Sequence, residues 1–288
     1  MTRVVVLGDV MVDVVTRLSG PVAPGSDSPA RIAFDGGGQA GNTAAWLAVA
    51  GAPVALVARV GHDSAGRMAV AELEALGVET RVAVDGERST GTCVVLVAAD
   101  GERTMFPDAG ANAALAPADL PDELLAAGSH LHVSGYALLR DGSREAALSA
   151  VERARAVEMS VSVDPSSAVL LSDGPGRLGK GLGLLLPNAL EAATLTGRED
   201  PVAAARALAE WFPEVVVTLG EEGALWTDGR ELVRVDAEPA EVVDSTGAGD
   251  AFAAGLLSAR LRGADPERAL RAGCALAARA VASPGARP

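Results

Sequence analysis

The stretch V-D-S-T-G-A-G-D-A-F, from Val243 to Phe252, places two glycines before a long apolar run that predicts a helix over Ala248–Leu261. The first amides of a helix have no intrahelical partners, and the helix dipole adds partial positive charge beside them. Such a helix start binds anions without a lysine. The carboxylate of Asp250 lies in the same turn. It is interpreted either as an acid that complements the dipole or as a base beside a phosphoryl group, the pairing that in-line phosphoryl transfer requires.

On either side of this stretch, short apolar strands alternate with helices. The predicted strands are Val4–Leu7, Val54–Val57, Leu131–Val133, Val161–Val163, Leu184–Leu186 and Val215–Thr218. The predicted helices are Asn42–Ala50, Ser64–Leu76, Ser143–Glu158, Val202–Trp211, Ala248–Leu261 and Pro266–Ala282. Short apolar runs are typical of strands buried on both faces, so the alternation predicts an α/β fold with a largely parallel sheet.

Two segments, at about residues 14–35 and 80–108, break this alternation. They contain predicted strands at Ala30–Phe34, Arg81–Val84, Thr92–Val97 and Arg103–Phe106, with turns at Asp85–Gly86 and Asp100–Gly101. We expect one small antiparallel sheet that projects from a single domain spanning residues 1–288. A sheet this small must cover something, either a ligand cleft or the equivalent sheet of a partner.

The charge of the chain limits its partners. Its 288 residues include 24 basic and 38 acidic side chains, a net charge of 24 − 38 = −14, and the single lysine is Lys180. This balance predicts no binding to nucleic acid or to anionic membranes. Any phosphate must then be held by backbone amides, a metal ion or a few arginines. Cys93 and Cys274 are expected to be free thiols, and without an apolar run of membrane length or a leader pattern we expect a cytoplasmic protein.

Two further glycine-rich segments resemble nucleotide motifs. Gly36–Gly41 formally satisfies G-x-G-x-x-G, but no strand of a βαβ unit precedes it and no acidic residue stands near the expected position. It is equally a tight turn before a helix, or a place where backbone and the Asn42 amide approach a polar ligand. Gly174–Gly181 nearly matches a P-loop and contains Lys180, but it lacks the final hydroxyl residue and the following helix, so a surface loop is expected.

Taken together, these motifs carry a family resemblance. Asp244–Asp250 resembles the C-terminal signature of the ribokinase-like (PfkB) carbohydrate kinases, and Gly36–Asn42 resembles the N-terminal one. Four further segments match the family in order: Gly8–Asp13, Gly110–Leu115, Asn188 with Glu191, and Thr218–Gly220 with Gly223. The resemblance implies a three-layer α/β/α sandwich with a mostly parallel central sheet and a small antiparallel β lid. It also implies an ATP- and Mg²⁺-dependent kinase that phosphorylates a hydroxymethyl group of a sugar (a pentose, hexose or sugar acid), and a homodimer formed through the lid.

The resemblance also implies a role for each matching residue. Asp250 is the general base, and the amides of Gly247, Ala248 and Gly249 form the anion hole. Mg²⁺ is held by Asn188 and Glu191, partly through water, and Asp244 is a candidate ligand of a monovalent cation such as K⁺. The residues expected to bind the sugar are Asp13, Gly37, Gly38 and Asn42, together with Asp250. Those expected to bind the nucleotide are Asn188, Thr218, Gly220, Gly223, Thr246, Gly247 and Gly249.

Three residues leave the identity of the acceptor open. Met11 stands where sugar-specific members carry asparagine, which weakens ribose and leaves a nucleoside (adenosine- or pseudouridine-like) or a deoxy or keto sugar acid. Arg103 either meets an acidic substrate or is an exposed arginine of an edge strand, and Tyr136 faces either the cleft or the core. Two other classes of function stay open, a non-catalytic sugar-binding regulator and an NAD(P)-dependent oxidoreductase.

Overall fold

The computed structural model describes residues 2–98 and 102–288. The strands are β1 (Val4–Leu7), β2 (Met11–Leu18), β3 (Ala30–Gly37), β4 (Val54–Gly61), β5 (Glu79–Asp85), β6 (Gly91–Val97), β7 (Arg103–Asp108), β8 (His130–Ser134), β9 (Ser160–Asp164), β10 (Leu184–Leu185), β11 (Glu214–Thr218), β12 (Ala224–Thr227) and β13 (Leu232–Val235). The helices are α1 (Gln39–Val49), α2 (Ser64–Ala75), α3 (Gly135–Leu139), α4 (Asp141–Ala156), α5 (Ala189–Thr196), α6 (Pro201–Leu208), α7 (Ala248–Leu261) and α8 (Pro266–Val281).

A large sheet forms the centre of the molecule, with strand order β13-β12-β11-β10-β9-β8-β1-β4-β5. The pairings from β11 through to β5 are parallel, and β12 and β13 continue the sheet antiparallel at one edge. The predicted parallel α/β sheet is therefore confirmed. Helix starts and ends fall within a few residues of the predicted bounds, as is normal because helix ends fray.

Helices cover both faces of this sheet, and β1 shows why its strands are apolar throughout. Val4 and Val6 pack into one core with α1, α2, α7 and α8, while Val5 and Leu7 pack into a second core with α4, α5 and α6. A strand buried on both faces has no polar side. With one core on each face, the central sheet and the two layers of helices form the three layers of the predicted sandwich.

A second, four-stranded sheet forms the lid, in the order β3-β2-β6-β7. Its outer pairings are antiparallel, and the central pairing between β2 and β6 is parallel. The sequence analysis did not predict β2 as a strand. The predicted turn at Asp100–Gly101 lies outside the described residues.

One predicted lid strand lies elsewhere. Arg81–Val84 was assigned to the small sheet, but it belongs to β5, which pairs in parallel with β4 at the edge of the large sheet. The reason is the helix between them: β4, α2 and β5 form a crossover unit, and such a unit returns its second strand to the same sheet. Most residues of β5 are half-buried or exposed, which reflects its edge position and resembles the burial of a lid strand.

Cys93 and Cys274 are buried free thiols, as predicted. Within the described residues, no helix is both long enough and apolar enough to cross a membrane.

Candidate active site

The candidate site lies where several parallel strands end. The carboxyl ends of β1, β9, β10 and β11 meet at one edge of the large sheet, because parallel strands all run the same way. Open α/β sheets bind their ligands at this edge. Helix α7 starts at the same edge, and its first turn lines one cavity with Asp164, Asn188 and Thr218 from the strand ends.

The start of α7 presents free amides. Gly247 adopts a left-handed φ of 76°, and a side chain there would place its Cβ 2.4 Å from the Ala286 carbonyl oxygen. Among the described residues, the amides of Gly247, Gly249 and Asp250 donate to no acceptor. The Ala248 amide differs from the expectation, because it donates to the Ser245 carbonyl at 3.3 Å and so closes the turn. The free amides and the helix dipole together make an anion site.

Asp250 is held from both sides. Its Oδ2 accepts a hydrogen bond from Asn42 Nδ2 at 3.0 Å, and its Oδ1 lies 3.5 Å from the Thr43 hydroxyl. Burial raises the pKa of Asp250 well above its ordinary value, and the negative charge of Asp164 raises it further. The hydrogen bonds from Asn42 and Thr43 lower the pKa of Asp250, but by less than burial raises it. A carboxylate with a raised pKa is a stronger base once it is ionised.

Asp164, at the end of β9, is a site residue that the sequence analysis missed. It lines the same cavity of about 180 Å³ as Asn188, Glu191 and Asp250. Burial raises the pKa of Asp164 to about 6 and, together with the charge of Asp164, that of Glu191 to about 7. Its position directly after a predicted buried strand was the only signal that the sequence contained.

Asn188 and Glu191 both cap α5 and face the cavity. Asn188 Oδ1 accepts from the Glu191 amide and Glu191 Oε2 accepts from the Asn188 amide, each at 2.9 Å. The reciprocal pair is a capping box, and one carboxylate oxygen of Glu191 remains for other contacts. The structural and functional interpretations of these two residues are therefore compatible.

The oxygen donors of this cavity fit a hard divalent cation. Its candidate ligands, Asp164, Asn188 and Glu191, offer only carboxylate and amide oxygens, and a nearby cation would relieve the repulsion between the carboxylates. Within residues 2–98 and 102–288, no three or more His, Cys, Asp or Glu side chains are grouped closely enough to hold a metal ion by themselves. Two carboxylates and one amide oxygen suit Mg²⁺, which keeps several of its waters when it binds to proteins.

A second cavity, of about 530 Å³, continues from the first beside α7 and α8. Thr218, Gly220 and Gly223, which were predicted to bind nucleotide, all line it, and so does Gly249. The rest of the wall is mostly apolar, with contributions from Phe252, Ala277 and Val281 among others. A largely apolar pocket beside an anion site has the character expected of a nucleoside pocket.

Under the lid, Asp13 points into a third cavity that is also lined by Val95 and Val97. Burial raises the pKa of Asp13 to about 6. A Cβ on Gly37 would lie 2.2 Å from Asp13 Oδ1, so only glycine fits there. Gly38 has a φ of 88° and passes close to the Asp9 carbonyl, which sets the turn into α1. The predicted acceptor residues are therefore grouped. The buried Met11, the first residue of β2, packs with Cys93, Val95 and Val97 of the lid.

Arg103 is an exposed residue of the edge strand β7, as one interpretation expected, but it also makes contacts that neither interpretation described. Its Nη2 forms an ion pair with Asp244 Oδ1 at 2.7 Å, and its Nη1 donates to the Thr246 hydroxyl. This ion pair joins the lid to the segment before α7. Thr246 also lines the cavity under the lid. Its predicted contact with the nucleotide stays a prediction. Asp244, the candidate ligand of a monovalent cation, already faces a guanidinium group.

The remaining sequence candidates lie at the margins of the site. Tyr136 is half-buried beside Gly8 and Asp9, with the Arg140 guanidinium 4.8 Å from its ring. Lys180 is exposed on the loop where a P-loop was rejected. Asn112 hydrogen-bonds the backbone of Val10 and so supports the connection between β1 and β2.

Comparisons with known proteins agree with this geometry. Residues 1–288 match the family described as pfkB family carbohydrate kinase. A protein named an uncharacterized sugar kinase from Archaeoglobus fulgidus is 31% identical over 240 residues, covering 82% of this chain and 94% of its own. A fructokinase from Klebsiella pneumoniae is 33% identical, with 89% of this chain and 83% of its own covered. The crystal structure of an adenosine kinase from Sinorhizobium meliloti superposes with a TM-score of 0.87 at 27% identity, covering 100% of this chain and 96% of that one.

Proposed function

The chain belongs to the pfkB family of carbohydrate kinases, and on that premise we propose that it transfers the γ-phosphoryl group of ATP to a hydroxymethyl group of a small sugar. Members of this family are phosphotransferases with an alcohol acceptor, and this chain is a sugar or nucleoside kinase. One observation carries the proposal. The half-buried carboxylate of Asp250 and the free amides of Gly247, Gly249 and Asp250 stand together at one helix start, between a nucleoside-sized cavity and the cavity under the lid.

In the proposed reaction, Asp250 is the general base. The acceptor hydroxyl gives its proton to Asp250 as its oxygen forms a bond to the γ-phosphorus, and the bond from that phosphorus to the bridging oxygen of ADP breaks. Asn42 and Thr43 hold the two carboxylate oxygens in place, which fixes the direction of proton transfer. Positioning of this kind is a large part of catalysis in phosphoryl transfer.

The free amides stabilise the charge that develops during transfer. The amides of Gly247, Gly249 and Asp250 point away from the helix and have no competing acceptor among the described residues. Fixed dipoles do not need to reorganise as the reaction proceeds, so their stabilisation of the transition state is large. With them, the site can bind the phosphates of ATP without any lysine.

The nucleoside of ATP is proposed to occupy the cavity lined by Thr218, Gly220 and Gly223, where its base contacts Ala277 and Val281. Asp164, Asn188 and Glu191 would hold Mg²⁺, largely through water. A bound Mg²⁺ would neutralise phosphate charge and lower the raised pKa values of the neighbouring carboxyl groups.

The acceptor side favours a neutral sugar. The charge of Arg103 is balanced by Asp244, so this arginine does not offer an unpaired cation to a sugar acid. Asp13 is a carboxylate that can accept two hydroxyl hydrogen bonds, and Gly37 lets the substrate approach closely. A nucleoside acceptor is the second candidate, because Met11, Val95 and Val97 make the neighbouring wall apolar and one structural relative is named an adenosine kinase. A K⁺ ion at Asp244 stays a prediction that competes with Arg103 for the same carboxylate.

We further propose a homodimer through the outer face of the lid, in a cytoplasmic enzyme that does not bind nucleic acid. Phe34, Val14, Val94 and Phe106 pair in register and form one row across the four strands. Phe34 is 65% exposed and Phe106 is 55% exposed. An apolar row of this size is most simply covered by the same row of a second copy.

Phe34→Asp should convert the dimer to a monomer in analytical ultracentrifugation, whereas wild type that sediments as a monomer would contradict the proposal.

The function is tested by measuring ADP formation from ATP and Mg²⁺ with a panel of pentoses, hexoses, ketoses, sugar acids and nucleosides. We expect turnover with a neutral sugar, and we expect Lys180→Met to match wild type because Lys180 lies outside the site. Saturable sugar binding without ADP formation would show a non-catalytic regulator. Thermal stabilisation by NAD(P) but not by ATP and Mg²⁺ would show an oxidoreductase.

A further inference from the structure

The segment after α8 returns to the active site. The Gly285 amide lies 3.3 Å from Asp244 Oδ2, and the Ala286 carbonyl accepts a hydrogen bond from Trp46 Nε1 at 2.9 Å. The same carbonyl lies close to Gly247, where α7 begins. Residues near 286 therefore pack directly against both α1 and the anion hole.

Arg287 is the charged residue of this segment, and it is buried, with its side chain 4% exposed. Its Nη2 donates to the Gly37 carbonyl at 2.8 Å and its Nε donates to Asn42 Oδ1 at 3.1 Å. Its Nη1 lies 3.2 Å from Glu72 Oε1 in an ion pair that lacks hydrogen-bond geometry. Each of the three guanidinium nitrogens therefore faces one of these partners.

Two glycines make the space for this guanidinium. A Cβ on Gly36 would lie 2.1 Å from Arg287 Nη1, and a Cβ on Gly41 would lie 2.7 Å from Nη2. The glycines that resembled a nucleotide motif therefore also accommodate a buried arginine. Gly37, between them, faces Asp13 on the other side of the strand.

The contact with Asn42 decides how its amide is oriented. A guanidinium group has only donors, so the side of the amide that faces Arg287 must be the oxygen. The nitrogen of the same amide then points the other way, and it donates to Asp250 Oδ2 at 3.0 Å. If the amide turned over, two donors would face each other at Arg287 and two acceptors would face each other at Asp250.

We propose that Arg287 is a positioning residue for the reaction, acting on the Asp250 base through the Asn42 amide and on the acceptor pocket through Gly37. The inference rests on the proposed function. It adds a residue that neither contacts the reacting atoms nor belongs to the motifs that identified the site. Its partners in the site lie 245 and 250 positions away along the chain.

The test is a double-mutant cycle with Arg287→Met and Asn42→Ala, measured as kcat with the best sugar of the panel. We expect each single variant to lose about 10- to 100-fold in kcat, because small displacements of a base are costly. If Arg287 acts through Asn42, the double variant should be no more than about twofold worse than the poorer single variant, since coupled residues are not additive. The KM for ATP should change by less than about twofold in Arg287→Met.

Arg279→Met is the matched control, since Arg279 lies on α8 and stacks over Trp46 at 6.0 Å, whereas the guanidinium that donates to Asn42 Oδ1 is that of Arg287. We expect it to keep wild-type kcat. Full additivity of the two losses, or an Arg287→Met variant with wild-type kcat, would overturn the proposal. If Arg287→Met does not fold, Arg287→Lys replaces it in the cycle, because a lysine can still donate to Asn42 Oδ1 and should recover part of kcat. Wild type that phosphorylates no acceptor would instead refute the proposed function.

Discussion

The two halves of the site differ in how their polar groups are partnered. On the phosphate side, the amides of Gly247, Gly249 and Asp250 have no acceptor among the described residues, and the carboxyl groups of Asp164 and Glu191 share one cavity. On the acceptor side, Arg103 pairs with Asp244, and Arg287 contacts both Gly37 and Asn42. The phosphate side therefore needs ligands to complete it, whereas the acceptor side is already held together by its own contacts.

The largest effect is expected for the residue that joins the two halves. Asp250→Asn removes the proposed base but keeps the shape of the side chain and its place beside Asn42. We expect kcat to fall by about 10²- to 10⁴-fold, the usual contribution of a general base, while ATP still protects the variant against thermal unfolding. Initial rates and thermal shift measure the two properties separately. Turnover within a few-fold of wild type would remove Asp250 from the role of base.

Alanine substitutions of two neighbouring glycines, Gly247 and Gly249, test whether the space beside the free amides is kept for phosphate. A Cβ on Gly249 meets no atom within 4 Å, so Gly249→Ala should fold as well as wild type but fill space meant for phosphate. We expect kcat/KM for ATP to fall by about 10²-fold, comparable to the loss of one oxyanion-hole donor. Gly247→Ala should instead lose stability, because its φ is 76° and its Cβ would meet the Ala286 carbonyl. Equal melting temperatures for the two variants would contradict this distinction.

A smaller effect is expected from loosening the acceptor side. Arg103→Met breaks the link between the lid and the segment before α7, so the lid should close less tightly over the sugar. We expect KM for the sugar to rise by about 10-fold with kcat changed by less than about threefold. Arg31→Met, which changes an exposed arginine of the lid strand β3, is the control and should leave both constants unchanged. An unchanged KM in Arg103→Met would show that the ion pair does not contribute to binding.

The smallest effect on turnover is expected far from both halves, at His130 and His132 on β8. Burial lowers the pKa of His130 to about 3, and the positive charges of the neighbouring His132 and Arg260 lower it in the same direction. Burial alone lowers the pKa of His132 to about 4. In the unfolded chain both histidines take up a proton as the pH falls through about 6.5, whereas in the folded protein they stay neutral. The free energy of unfolding therefore decreases as the pH drops from about 6.5 towards 4.

Between pH 7 and pH 5 this amounts to at most about 2 kcal/mol for each histidine. The loss of stability over this range should therefore be smaller in His130→Gln and His132→Gln than in wild type, as measured by urea unfolding at both pH values. Their kcat at pH 7 should stay within about twofold of wild type. A loss of stability that is the same in all three proteins would contradict the low pKa values.

The sequence indicated the helix start on the phosphate side, but it did not indicate the long-range contacts of the acceptor side, for a physical reason. An anion site at a helix start is a local feature: the glycines, the free amides and Asp250 lie within a few residues of one another. The ion pair of Arg103 joins residues 141 positions apart, and the contact of Arg287 with Asn42 spans 245 positions. No local pattern indicates such pairs. Asp164 was missed for a related reason, since an acidic residue after a buried strand becomes a site residue only when the sheet brings other strand ends beside it.

The edge strand β5 shows the same limit in the fold. Its mixture of polar and apolar residues suits either a lid strand or an exposed edge, and only the crossover through α2 places it in the large sheet. The buried strands were located well because a run of apolar residues requires cover on both faces wherever it lies.

The central claim is that backbone amides at the start of α7, and not a lysine, hold the transferred phosphate. The most direct measurement is a titration of deuterated, ¹⁵N-labelled protein with a non-hydrolysable ATP analogue and Mg²⁺, followed by amide NMR. We predict that the amide signals of Gly247, Gly249 and Asp250 move downfield as they gain an acceptor, while the Lys180 signal does not move. A titration that shifts Lys180 and leaves those three amides unchanged would contradict the claim.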